Sequence, residues 1–375
     1  MSLGSTIDLA AQRLAAPVEG MHRAIAGRWF GALGDVAAPV RIAHDVIAGV
    51  VYGSIRVAGT AIGMGVDKVV GPGSPDGIQS FVNGLWGDGL DRHHERIGFA
   101  MAVCGPNGAA VPIGPGLASA FPDATHRLVM FVHGLIESDT TWRTSDLVRT
   151  IEASDPLTPV MLRYNSGLRI SENGEQLSRM LAELDDAWPV AIDSIALVGH
   201  SMGGLVARSA CQVGLTHGLP WTTKVSDIVT MGTPHRGAPL EKFANVAAWA
   251  LSVAPETRPL AEFINGRSAG IKDLRFGAIA EKDWANAHPD ALLRNTVGDH
   301  LLPDHIRHHF VAGVVTDDPD HPLGALVGDL MVRRTSATGH PRLEPTNVVT
   351  LGGLRHSDLR HDPRVIRHVM EWLAP

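Results

Sequence analysis

Ser194-Ile195-Ala196-Leu197-Val198-Gly199-His200-Ser201-Met202-Gly203-Gly204-Leu205-Val206-Ala207-Arg208 is the stretch on which the reading of this chain turns. Residues 194–198 form a short apolar run of the kind that fills a buried parallel strand. Residues 204–210 have the small and apolar side chains of a helix packed on a sheet. Between them, G-x-S-x-G puts Ser201 on a sharp strand-to-helix turn, where small neighbours are needed for the two elements to close on each other. Gly199 and Gly203 supply them. The following helix start aims backbone N–H groups and a positive dipole end at the hydroxyl, which makes Ser201 the candidate nucleophile.

Working outward, Leu128-Val129-Met130-Phe131-Val132 reads as a buried strand ending in His133-Gly134-Leu135, and residues 160–164 as the next. A helix is expected from about Ser171, with N-cap chemistry in residues 171–175. Upstream, residues 97–103 and 109–113 flank Gly105-Pro106-Asn107-Gly108 and read as an antiparallel hairpin. Downstream, residues 227–231 lead into Gly232-Thr233-Pro234-His235-Arg236-Gly237, residues 310–315 and 347–351 read as strands, and a helix runs from about Pro363 to Leu373. Strands alternating with helices imply an α/β fold with a mostly parallel, doubly wound sheet.

Domain organisation is expected as a helical N-terminal appendage over residues 1–77, with a breaker cluster at residues 71–77. Residues 78–375 would form the catalytic domain, with a cap insertion at about 238–308 above the strand ends. Residues 42–52 read as amphipathic helix. The apolar run from 47 to 70 is interrupted by Arg56 and Asp67, which argues against a spanning helix. For the appendage, packing on the main domain is set against a lid function or contact with a membrane surface or lipid droplet.

At 375 residues the chain can bury a large core, and 45% hydrophobic with 19% charged residues is a globular composition. A net charge of −7 with pI near 6.2 gives no footing for nucleic-acid binding. Cys104 and Cys211 make no disulfide framework and read as apolar fillers. Asp8 and Arg13 interrupt the first apolar stretch, so a cytoplasmic location is favoured over export, with membrane association as the variant.

A nucleophilic serine needs a base, and the base needs an acid to hold its tautomer, in chain order Ser, acid, His for this topology. His356, in the loop after the last strand, is the candidate base; His361 competes with it. For the acid, Asp317 and Asp318 follow the strand ending at Val315 in a polar turn, whereas Asp329 lies between apolar residues. The oxyanion donors are expected to be the N–H of Met202 and an N–H of the His133-Gly134-Leu135 loop, that of Leu135. His133 reads as shaping that loop. His300, His305, His308 and His309 lack a carboxylate at H-E-x-x-H spacing and read as decoration of a surface segment. Nothing in these motifs calls for a cofactor or a metal.

Residues 131–135, 199–208 and 232–237 resemble the lipase and esterase branch of the α/β-hydrolase superfamily. The similarity is to bacterial triacylglycerol lipases and the hydrolase domain of inositol-deacylase-like proteins, and runs from about Phe81 to the end. The resemblance implies an ester hydrolase working through an acyl-enzyme on a small-molecule or lipid ester, with an acyltransferase or a non-catalytic binding module as alternatives. It favours Asp329 as the acid, since Gly328-Asp329-Leu330-Met331-Val332 with Ser336 is similar to the family's acid segment, although Leu330 stands where glycine is usual. It implies His356 in a His356-Ser357-Asp358 segment, where in some relatives the aspartate helps bind a structural calcium.

Overall fold

The computed structural model describes residues 3–38, most of 40–53, parts of 79–88, 99–154, 156–238, 268–285, 300–339 and 345–374, with 259, 262 and 298. Its centre is an eight-stranded sheet in the order β2-β1-β4-β3-β5-β6-β7-β8. The strands are β1 (Ala102–Cys104), β2 (Ala110–Val111), β3 (Arg127–Val132), β4 (Leu157–Arg163), β5 (Ser194–His200), β6 (Val225–Met231), β7 (Arg307–Val314) and β8 (Asn347–Gly352). From β4 through β8 neighbouring strands are parallel, and β1 is antiparallel to both β2 and β4. The expected hairpin is present but shorter: Gly105 N–H bonds Ala109 O at 2.9 Å, and Gly108 turns the chain at φ 78°.

Both faces of the sheet are covered, which is why its strands read as unbroken apolar runs. Along β3, Leu128, Met130 and Val132 face one core layer and Val129 and Phe131 the other. The first layer is closed by α1 (Ile170–Ala187), through Leu177, Leu181 and Leu184, and by α2 (Met202–Thr216), through Leu205, Val206 and Ala210. The second is closed by α3 (Pro363–Trp372), through Val365 and Val369, and by the helix Asp146–Glu152. Residue 171 is not the cap of α1. The helix starts one residue earlier, the N-cap is Arg169, and its N–H is taken by the Glu172 carboxylate at 3.1 Å.

The buried cysteines behave as small apolar fillers, and burial pushes both thiols up to about 12. Part of the segment expected as an appendage is helical, with a helix over Leu3–Leu33 and helical residues among 40–53. Val18, Ile25 and Trp29 form an exposed apolar stripe on it. Among the described residues no helix is long and apolar enough to cross a membrane. The expected boundary at 71–77 and most of the expected cap lie outside the described residues. Within the expected cap, residues 268–285 meet the loops after β4 and β6: Arg169 pairs with Asp273 at 2.6 Å, and Gly277 lies against the carbonyls of Pro234 and His235.

Candidate active site

Ser201 occupies the turn between β5 and α2 with φ 54° and ψ −125°, a backbone conformation that a residue with a side chain adopts only under strain. Its N–H continues the sheet pairing to Met231 O at 2.8 Å. The flanking glycines are obligatory on steric grounds. A Cβ on Gly199 would sit 2.4 Å from Gly204 N, and one on Gly203 would sit 2.2 Å from Val132 O.

The loop after β3 approaches from one side, and an added Cβ on Gly134 would lie 3.0 Å from Ser201 Cβ. Its base is His133, buried and stacked on Tyr164 with ring centroids 4.1 Å apart. Tyr164 N–H donates to His133 Nε2, so Nδ1 carries the proton and donates to Gly134 O at 2.9 Å. Burial holds this ring neutral by pushing its pKa down to about 4. Beyond it, Gly134 N–H donates to Glu137 Oε2 at 2.7 Å and Ile136 N–H to Ser166 Oγ at 3.2 Å, with Ile136 at φ 63°. Between them, Leu135 N–H meets no acceptor among the described residues, and neither does Met202 N–H at the start of α2. These are the two donors expected from the sequence.

His356 comes from the other side, at the start of a short turn (His356–Arg360) after β8. Its Nδ1 lies 2.7 Å from Asp329 Oδ2, and its backbone N–H donates to Asp329 O at 3.1 Å. The Asp329 carboxylate is fully buried, and Oδ1 accepts from the N–H groups of Met331 and Val332 at 3.0 and 2.8 Å. A carboxylate acceptor at Nδ1 leaves Nε2 as the basic nitrogen, and Nε2 is buried without a partner. The ring rests on Gly232, where at φ 59° an added Cβ would come 2.9 Å from His356 Cε1. That clearance explains why a glycine follows β6.

The competitors sit elsewhere. His361 is exposed and paired with Asp146 at 2.9 Å, and Asp317 and Asp318 are exposed. Leu330, standing in place of the usual glycine, takes the left-handed conformation all the same, at φ 82°. Ser336 links this segment to the loop after β6, accepting from Arg236 N–H and donating to Gly237 O. The Asp358 carboxylate accepts Arg355 N–H at 2.9 Å, so it caps the turn that begins at His356. Among the described residues no group of three metal-ligating side chains occurs.

Of the four histidines expected at the surface only His305 is exposed, and the other three are a correction. His300, His308 and His309 are buried, and two of them have carboxylate partners: His300 with Asp283 at 2.7 Å and His309 with Asp227 at 2.8 Å. Those partners come from distant segments, so no local spacing announces them. Sequence reasoning also passed over Glu137 and Arg360, which pair with each other beside His200. An acidic residue three positions after Gly134 was the one local signal available.

Residues 172–258 match the family described as a PGAP1-like alpha/beta domain, over a segment that contains all but the first two residues of α1, and β5, Ser201, α2 and β6. Strand order, crossovers and the turn at Ser201 agree with that match. The chain has the α/β-hydrolase fold.

Solved structures are similar at low identity. The mature Bacillus licheniformis lipase BlEst2 is 20% identical, covering 74% of this chain and 98% of that one with a TM-score of 0.46. The Pyrococcus furiosus esterase Pf2001 is 14% identical, covering 67% and 84% with a TM-score of 0.36. A thermophilic esterase from Thermogutta terrifontis is 14% identical, covering 73% and 92% with a TM-score of 0.35. No curated protein matches the sequence. The α/β-hydrolase fold hosts many chemistries, so what this chain does rests on its site.

Proposed function

We propose that the protein is a serine hydrolase of carboxylic esters, with Ser201 as nucleophile, His356 as base and Asp329 as the acid that orients it. The observation that carries this reading is the state of the His356 ring: Nδ1 is held by a buried carboxylate, and Nε2 is left basic and unpartnered. In the first half-reaction Ser201 Oγ attacks the ester carbonyl carbon while His356 Nε2 takes the hydroxyl proton. Asp329 stabilises the imidazolium without being protonated itself. The carbonyl π electrons move onto oxygen, and that oxyanion is received by the N–H groups of Met202 and Leu135. Collapse of the tetrahedral species expels the alkoxide, which takes the proton from His356. Water then repeats the sequence on the acyl-enzyme and releases the carboxylic acid.

Two features support the geometry of attack. The strained turn projects Ser201 away from the sheet, and the adjacent residue, His200, bonds the carbonyl of His356 at 3.0 Å, tying nucleophile and base together. The test is Ser201→Ala assayed on a p-nitrophenyl ester, paired with fluorophosphonate labelling of the parent protein. Loss of turnover and a covalent adduct on Ser201 are expected; full activity in the variant or an unlabelled Ser201 refutes the reading.

A further inference from the structure

Of the loops that carry the site, those after β3, β5 and β8 meet at one carboxylate. Glu137 Oε2 accepts the Gly134 N–H at 2.7 Å, one residue before the free Leu135 N–H. Its Oε1 takes Nη1 of Arg360, and the same Nη1 lies 3.1 Å from His200 Nδ1. Arg360 closes the turn that begins at His356. His200 precedes Ser201, and its Nε2 lies 3.0 Å from the His356 carbonyl oxygen.

The proton positions follow from these contacts. A carbonyl oxygen can only accept, so His200 Nε2 carries a proton, while its Nδ1 faces both Arg360 Nη1 at 3.1 Å and Glu137 Oε2 at 3.2 Å. Burial lowers the His200 pKa, against the opposing pull of the Glu137 carboxylate beside it. Burial opposes a charge on Glu137 too, but His200 and Arg360 outweigh it and hold the carboxyl well below the usual range. The result is a buried, mutually neutralised pair directly behind the place where an oxyanion would form.

We propose that Glu137 is a positioning residue that, through Arg360 and His200, holds the donor loop 133–137 and the base-bearing turn 356–360 in register across Ser201. The proposal rests on the reading of Ser201 and His356 given above. The carboxylate orients the Gly134 peptide and so aims the next N–H. The guanidinium cancels a charge that would otherwise repel a developing oxyanion. His200 anchors the backbone of His356 from the carbonyl side while Asp329 holds it from the amide side.

The experiment compares Glu137→Gln, Arg360→Met and the double variant. Each single substitution leaves one buried charge unpaired, whereas the double variant removes both and is the one expected to keep its fold. In folded variants kcat should fall by about 10- to 100-fold while KM stays within about twofold, because geometry in the transition state is lost rather than ground-state binding. The double variant should be no worse than the poorer single one, since one clamp is removed in each case. Arg360→Met should be that poorer variant, because it leaves a bare carboxylate beside the oxyanion donors.

A double variant with parental kcat and only a lowered Tm overturns the proposal. In the intact protein, the Gly134 amide should exchange with deuterium at least about tenfold more slowly than the Leu135 amide. Equal exchange rates overturn the proposal whether or not the variants fold. Turnover by Ser201→Ala would instead refute the reading of the site, whatever Glu137 does.

Discussion

Replacing Leu330 with glycine should stabilise the protein, even though it deletes an apolar side chain. Leu330 is held at φ 82° next to the buried Asp329, and its side chain is 61% exposed, so little packing is lost on truncation. A residue with a Cβ in the left-handed region costs roughly 1–2 kcal/mol. Glycine removes that cost but adds backbone freedom to the unfolded chain, worth roughly 0.4–1 kcal/mol in the opposite direction. The balance is a gain of about 0.5–1 kcal/mol, or a rise in Tm of about 1–3 °C for a domain of this size. Leu330→Ala is the control, because alanine keeps the Cβ and the strain while losing the same side chain. Urea unfolding followed by circular dichroism, at matched slopes, measures all three proteins. A glycine variant no more stable than the alanine variant would refute the strain argument, and with it the account of how this turn presents Asp329.

The remaining predictions concern the acid and the buried histidines. Asp329→Asn presents an amide to His356 Nδ1 and favours the wrong tautomer, so kcat should fall by on the order of 10⁴ with the fold retained, as kinetics and circular dichroism would report; near-parental turnover would exclude Asp329 as the orienting acid. His133 is held neutral with a pKa of about 4 against an ordinary value of 6.5, so between those values the unfolded chain binds the extra proton. Stability should therefore fall as pH drops from about 6.5 towards 4.5, by roughly 2–3 kcal/mol from His133 alone. Burial lowers His200, His235 and His308 as well, and they add to the same slope. Urea midpoints across that window measure the slope, and a His133→Gln protein with an undiminished slope would refute the assignment.

Local constraints made part of this protein legible in its sequence. The turn at Ser201 depends on contacts between residues a few positions apart, Gly199 against Gly204 for instance, so sequence spacing alone specifies it. The buried parallel strands were readable because both faces of the sheet are covered, which leaves no polar alternation along β3 or β5. Loop order after those strands then pointed to Ser201, His356 and the N–H groups of Leu135 and Met202, the groups on which the proposed function rests.

Only the tertiary structure separated Asp329 from Asp317 and Asp318 without appeal to a resemblance, because the choice depends on which side of the turn after β7 faces β8. It also showed three of four supposed surface histidines to be buried, and Asp283 and Asp227 reach two of them, His300 and His309, from 17 and 82 residues away. The pairing of Glu137 with Arg360 spans 223 residues and exists only because β3, β5 and β8 deliver their loops to one end of the sheet. Strain and close packing act over a few residues and leave a pattern along the chain. Buried charge is compensated through space, by whichever partner the strand order brings near.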